Sequence, residues 1–190
     1  MPRAGFSRVR PWRSLAPEGE LPIRHWIPRP LAWLPAEFMQ TFNRLCAGEL
    51  AWPLLLYGPA GTSKTTCGLA ACDRACPTYW PMQELIQHQA MINARAKSGA
   101  YYHDDPWPGI IESPFAVLDE IGVRGIDPNV EYQVLLRFLE ERLRHNRVAI
   151  YITNIHPEHL ATAFDARIED RLTCGTMLEL KGDSKRWAGK

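Results

Sequence analysis

The stretch YGPAGTSKTT, residues 57–66, sets Gly58, Gly61, Lys64 and Thr65 at the spacing of a phosphate-binding loop, with Pro59, Ala60, Thr62, Ser63 and Thr66 completing it. Such a loop aims successive backbone N–H groups and a helix N-terminus at phosphate oxygens, while the lysine ammonium reaches the terminal phosphates and the Thr65 hydroxyl meets Mg²⁺. A phosphate chain with Mg²⁺ is therefore the expected ligand. The flanks agree with this reading, because the apolar run PLLLY (53–57) enters the loop and the helical pattern TTCGLAACDRAC (65–76) leaves it. An incidental Gly-rich turn does not require that context. The position before the lysine, usually glycine, is Ser63; serine gives up glycine's conformational freedom with only a small Cβ.

Working outward, apolar runs of strand length recur at 53–57, 77–80 (PTYW), 115–119 (FAVLD), 148–153 (VAIYIT) and 176–180 (TMLEL). Segments of helical period separate the first four, notably MQELIQHQAMINARAK and EYQVLLRFLEERLRH. Strands alternating with helices predict parallel crossover units: an α/β fold of P-loop type, three layers around a mostly parallel five-stranded sheet. Before them, AEFMQTFNRLCAGEL puts Phe38, Phe42 and Leu45 on one helical stripe ending near Gly48. Residues 1–35, with seven prolines, three tryptophans and six arginines and no sustained period, read as an irregular arm, leaving 36–190 as the folded domain. Ten residues follow Leu180, too few for a C-terminal helical lid.

Three further groups carry chemistry. In FAVLDEIG an apolar strand delivers Asp119 and Glu120 at its carboxyl end, where ligands of open α/β sheets gather. Asp119 is expected to hold Mg²⁺ and Glu120 to accept a proton from the attacking water. In AIYITN, Asn154 closes another apolar strand, where it could orient water or the γ-phosphate; taken alone it reads first as a turn asparagine before His156-Pro157. In FDARIEDRL, Arg167 and Arg171 stand four apart on one helix face, either as candidate arginine fingers or as ordinary partners of Glu169, Asp170 and solvent.

Composition narrows the classes. Apolar residues at 46% and charged residues at 23% match a folded globular chain, and 22 basic against 21 acidic side chains leave no global field toward nucleic acid or membrane. Any DNA contact must be local; NARAKSGAYYH supplies Arg95, Lys97, Tyr101 and Tyr102, cations mixed with stacking rings suited to single strands, and Arg124 follows the acid pair. The same residues also read as a solvated helix end with packed tyrosines. Five cysteines without regular spacing point to a reducing, cytoplasmic setting, with Cys72 and Cys76 read as small core residues ahead of half a zinc site. The arginine-bearing, acid-free start before Glu18 resembles a transit peptide only faintly, given Pro2 and Pro11. No apolar run reaches membrane-spanning length.

Taken with LEERLRHNRVAIYITNI and the closing GDSKR, the loop, acid pair, asparagine and paired arginines resemble AAA+ ATPases of the helicase-loader group, the DnaC and IstB type, over about residues 50–186. The resemblance implies an ATPase core that assembles edge to edge as a homo-oligomer on DNA and acts on a replicative helicase or, in the second case, a transposase. It assigns Walker A roles to Lys64 and Thr65, Walker B roles to Asp119 and Glu120, the polar sensor to Asn154, and the trans finger to Arg171 ahead of Arg167. Ser63 departs from the pattern, as does the lack of a long N-terminal helicase-gripping domain. A nucleotide-binding switch without turnover and a small P-loop kinase stand as the readings from other classes.

Overall fold

The computed structural model describes residues 34–75, 78–99, 104–122 and 127–182. The arm assigned to 1–35 therefore lies almost wholly outside the described residues, as do Cys76, Tyr101, Tyr102, Arg124 and the GDSKR segment.

Five strands, β1 (Leu54–Tyr57), β2 (Thr78–Pro81), β3 (Phe115–Ile121), β4 (Val148–Thr153) and β5 (Thr176–Glu179), form one sheet in the order β2-β3-β4-β1-β5. Every pairing is parallel, so the expected mostly parallel sheet is wholly so among the described residues. The helices are α1 (Ala36–Cys46), α2 (Lys64–Ala75), α3 (Met82–Lys97), α4 (Trp107–Glu112), α5 (Pro128–Arg144), α6 (Leu160–Ala163) and α7 (Ala166–Thr173).

Two cores sit on the two sheet faces, and the period-2 alternation of strand side chains sorts residues between them. Leu54 and Leu56 of β1, Phe115 and Val117 of β3, and Ile150 and Ile152 of β4 pack against α1 and α2. Leu55, Ala116, Leu118, Ala149 and Tyr151 turn the other way, toward α3, α4, α5, α6 and α7. Strands buried on both faces read as unbroken apolar runs, which is why they stood out in the sequence. Cys67 and Cys72 lie buried in the first of these cores.

Helix ends follow local chemistry. Gly48, at φ +76°, lets the chain reverse after α1, with Gly48 N–H donating to the Leu45 carbonyl (3.1 Å) and Glu49 N–H to that of Arg44 (2.9 Å). Helix α5 starts three residues before the apolar period suggests, because Asp127 caps it, accepting from Asn129 N–H at 2.9 Å, and Pro128 occupies the first turn. Helix α4 was not expected at all; its six residues are too few to show a period, yet Trp107 is 1% exposed and Ile110 fully buried.

Candidate functional site

The strand order brings the motifs together. β4 lies between β1 and β3, so the loop after β1, the acid pair ending β3 and the Thr153–Asn154 end of β4 all emerge at one carboxyl edge, across roughly two strand spacings of ~5 Å each. This is the edge where strand order reverses around β1, and there open α/β sheets bind ligands.

Within the loop, Gly58, Gly61 and Ser63 take φ values of +135°, +90° and +71°. Ser63 thus stands in the left-handed region that favours glycine. A Cβ on Gly58 would lie 2.3 Å from the Leu180 carbonyl oxygen, so the first glycine is required by the close pass of the chain leaving β5 as well as by the loop. Helix α2 begins at Lys64. The Lys64 ammonium donates to the Gly58 and Pro59 carbonyls at 2.7 and 2.6 Å and lies 3.4 Å from Thr62 Oγ1, while the Thr62 hydroxyl donates to the Pro59 carbonyl at 3.0 Å. Lys64, Thr62 and Thr66 are buried; Pro59 and Ala60 are exposed.

The acid pair sits in a bulge. Leu118 pairs with Tyr151 and Ile121 with Thr153, so β3 carries one residue more than β4 between those points. The extra residue coincides with Glu120, whose φ of +62° turns its side chain to the exposed side while Asp119 stays 2% exposed. Consecutive carboxylates are thereby separated, one inside and one out.

Asp119 is held by several donors: Tyr79 Oη donates to Oδ2 at 2.6 Å, the Glu120 N–H to Oδ1 at 2.6 Å, and the Thr65 side chain also hydrogen-bonds to it. Burial raises the Asp119 carboxyl above its ordinary range, and these bonds together with the Lys64 charge oppose that rise. Thr65 hydroxyl beside a buried carboxylate is a set of hard oxygen donors, which fits Mg²⁺. Behind the bulge, Glu131 of α5 accepts the Gly122 N–H at 2.8 Å, and the Thr153 hydroxyl donates to the Ile121 carbonyl at 2.8 Å, tying β3 to β4. Asn154 follows, exposed, at the β4 end.

Arg167 and Arg171 share a face of α7, as their spacing predicted, but their partner is Glu140 of α5, not Glu169 or Asp170. Arg171 Nη2 lies 3.5 Å from Glu140 Oε1, its Nη1 donates to the Arg167 carbonyl at 3.1 Å, and its buried Nε makes no hydrogen bond. Since α5 and α7 pack on the sheet face opposite α2, the arginines belong to the layer away from the loop helix. Arg95 and Lys97 are exposed in the last turn of α3.

Sequence reasoning missed Tyr79 and Glu131. The available signal for Tyr79 was a phenol inside a buried strand, which must find a partner; for Glu131 it was a carboxylate in a helix's first turn.

This five-stranded all-parallel sheet between helical layers, with its loop and acid pair on one edge, is an α/β fold shared with solved structures of other proteins. No model of a known protein family matches the chain, and no curated protein does. Solved structures do. AMPPCP-bound DnaA from Aquifex aeolicus superposes with a TM-score of 0.62 at 17% identity, over 80% of this chain and 48% of that one. The replication initiator DnaA bound to AMPPCP and single-stranded DNA gives 0.61 at 19%, over 77% and 45%. The DnaC helicase loader gives 0.59 at 14%, over 82% and 94%. The chain thus spans about half the length of the DnaA structures and nearly all of the DnaC one.

Proposed function

We propose that residues 36–190 form an Mg²⁺-dependent ATPase domain that assembles edge to edge on single-stranded DNA and loads or remodels a partner there, a replicative helicase before a transposase. The observation that carries this reading is the convergence of the Lys64 loop, the split Asp119–Glu120 pair and the β4 end on one sheet edge. The superposition on a helicase loader and on an initiator bound to single-stranded DNA supports the direction of the partner assignment. The cytoplasm is the compartment that suits such work, and no described helix is long and apolar enough to cross a membrane.

The loop N–H groups and Lys64 hold the β- and γ-phosphates. Thr65 and Asp119 would hold Mg²⁺, which when bound neutralises phosphate charge. Glu120, turned out by the bulge, accepts a proton as the water oxygen attacks the γ-phosphorus and ADP leaves. Asn154 orients that water, and an arginine of α7 from a neighbouring copy reaches the developing charge. Exposed Arg95 and Lys97, with Tyr101, Tyr102 and Arg124, are the proposed strand contacts.

Two variants test the site. Lys64→Ala should weaken ATP binding about a hundredfold by calorimetry, roughly 2.7 kcal/mol. Glu120→Gln should keep affinity within about threefold and slow hydrolysis by at least ~10²-fold, since an amide accepts no proton. Undiminished binding in the first would remove the loop from the mechanism; undiminished turnover in the second would remove the base. Co-purification from the native host, asking whether a helicase or a transposase comes with the chain, separates the two partner readings.

A further inference from the structure

We infer that Tyr79 is a positioning residue for the Asp119 carboxylate, fixing its plane so that its remaining lone pairs face Thr65 and the phosphate loop. The inference rests on the ATP-site reading above and deepens it.

The geometry begins in the strand register. Tyr79 of β2 pairs with Val117 of β3, so both side chains project to the α2 face, and Asp119, two residues on, projects to that face as well. A tyrosine is long enough to span this diagonal, and its hydroxyl arrives 2.6 Å from Asp119 Oδ2. The other oxygen is held by the Glu120 N–H, also at 2.6 Å, within the bulged stretch of β3. Tyr79 and the Glu120 N–H thus hold one oxygen each, and with the Thr65 side chain as third partner they fix the carboxylate plane; without the tyrosine, Oδ2 loses its phenol donor.

The packing leaves room for this ring. At Gly68 of α2 a Cβ would stand 2.7 Å from Ile152 Cδ1, 3.0 Å from Val117 Cγ1 and 3.8 Å from Tyr79 Cε2, so helix and sheet approach closely above the ring. A glycine inside a helix is less favourable than alanine, so its presence here answers to the close packing. Tyr79 is 8% exposed, and phenylalanine would fill the same space. What the hydroxyl adds is its bond to the one buried carboxylate placed beside Thr65.

Tyr79→Phe tests the assignment, because it removes only the hydroxyl. Binding of a fluorescent, non-hydrolysable ATP analogue is titrated against Mg²⁺ for the parent and the variant. The half-saturating Mg²⁺ concentration should rise about tenfold in the variant, while analogue binding in EDTA stays within twofold. Trp80→Phe, on the same strand, serves as the packing control: it should lower the melting temperature without moving the Mg²⁺ midpoint. An unchanged or lower midpoint in Tyr79→Phe overturns the positioning role and leaves the ATP site intact. A parent that binds no nucleotide at any Mg²⁺ concentration overturns the ATP-site reading and this inference with it.

Discussion

Ser63 and Glu120 are two of the three non-glycine residues with positive φ among those described, and both sit in the candidate site. A left-handed conformation costs an L-residue roughly 1 kcal/mol, and such strain persists where surrounding structure dictates it. At Ser63 the dictation comes from both sides: the loop must turn through Gly61, and the Ser63 carbonyl accepts the Cys67 N–H at 2.9 Å to start α2. Ser63→Gly should therefore relieve strain without removing a needed group. The expected result is a melting temperature about 2–4 °C higher, corresponding to ~1 kcal/mol, with ATP affinity equal or better. A loss of affinity beyond about tenfold would instead show that the serine hydroxyl contacts phosphate. Glu120 has no such relief available, since glycine there would delete the carboxylate that the position exists to present.

At the scale of elements, the site edge depends on how β3 and β4 are anchored at their opposite ends. Arg142 of α5 does much of this: it is 1% exposed and its Nη1 donates to the Ile110 and Ser113 carbonyls at 2.9 and 2.6 Å, while Nη2 donates to the Val148 carbonyl. One guanidinium thus binds the end of α4, the approach to β3 and the first residue of β4. Burial lowers its pKa to about 10, which still leaves it charged at neutral pH. Arg142→Met keeps most of the volume and removes every donor, stranding carbonyls away from water. Thermal melting should register a loss of about 3 kcal/mol, or some 6–12 °C for a domain of this size. A loss under ~1 kcal/mol would mean that the carbonyls find other partners.

For the whole molecule, the question is whether one chain completes its own site. Arg167 and Arg171 rest on Glu140 in the layer opposite the loop helix; under the proposed function one of them serves a neighbouring copy's phosphates, and that assignment is open to a direct test. Arg171→Ala should keep ATP affinity within about threefold while hydrolysis falls at least ~10²-fold. Mixing this variant with Lys64→Ala should restore part of the activity, because each supplies what the other lacks at a shared interface. The assay needs DNA and a protein concentration at which the parent is oligomeric, since a weak interface dissociates by mass action. No recovery under those conditions would reject the trans assignment and favour a kinase-like arginine acting in cis or a surface ion pair.

The strands β1, β3 and β4, the helices α2 and α3 and the stripe of α1 were legible in the sequence because each is set by local pattern: unbroken apolar runs for strands buried on both faces, and an apolar face recurring with the helical turn. The edge strands β2 and β5 showed only as short, partly apolar runs, and β5 leaves Met177 exposed. The loop was legible for the same reason, since Gly58, Gly61, Lys64 and Thr65 act through spacing along one turn of chain. Local pattern is silent about partners far apart in sequence. The order β2-β3-β4-β1-β5, the extra residue that turns Glu120 outward, the Tyr79 hydroxyl on Asp119 and the Glu140 seat of the two arginines all join positions 20 to 90 or more residues apart or depend on such pairings. Only the packed sheet decides these, because side chains from separate strands meet where burial and strand pairing leave them a common space.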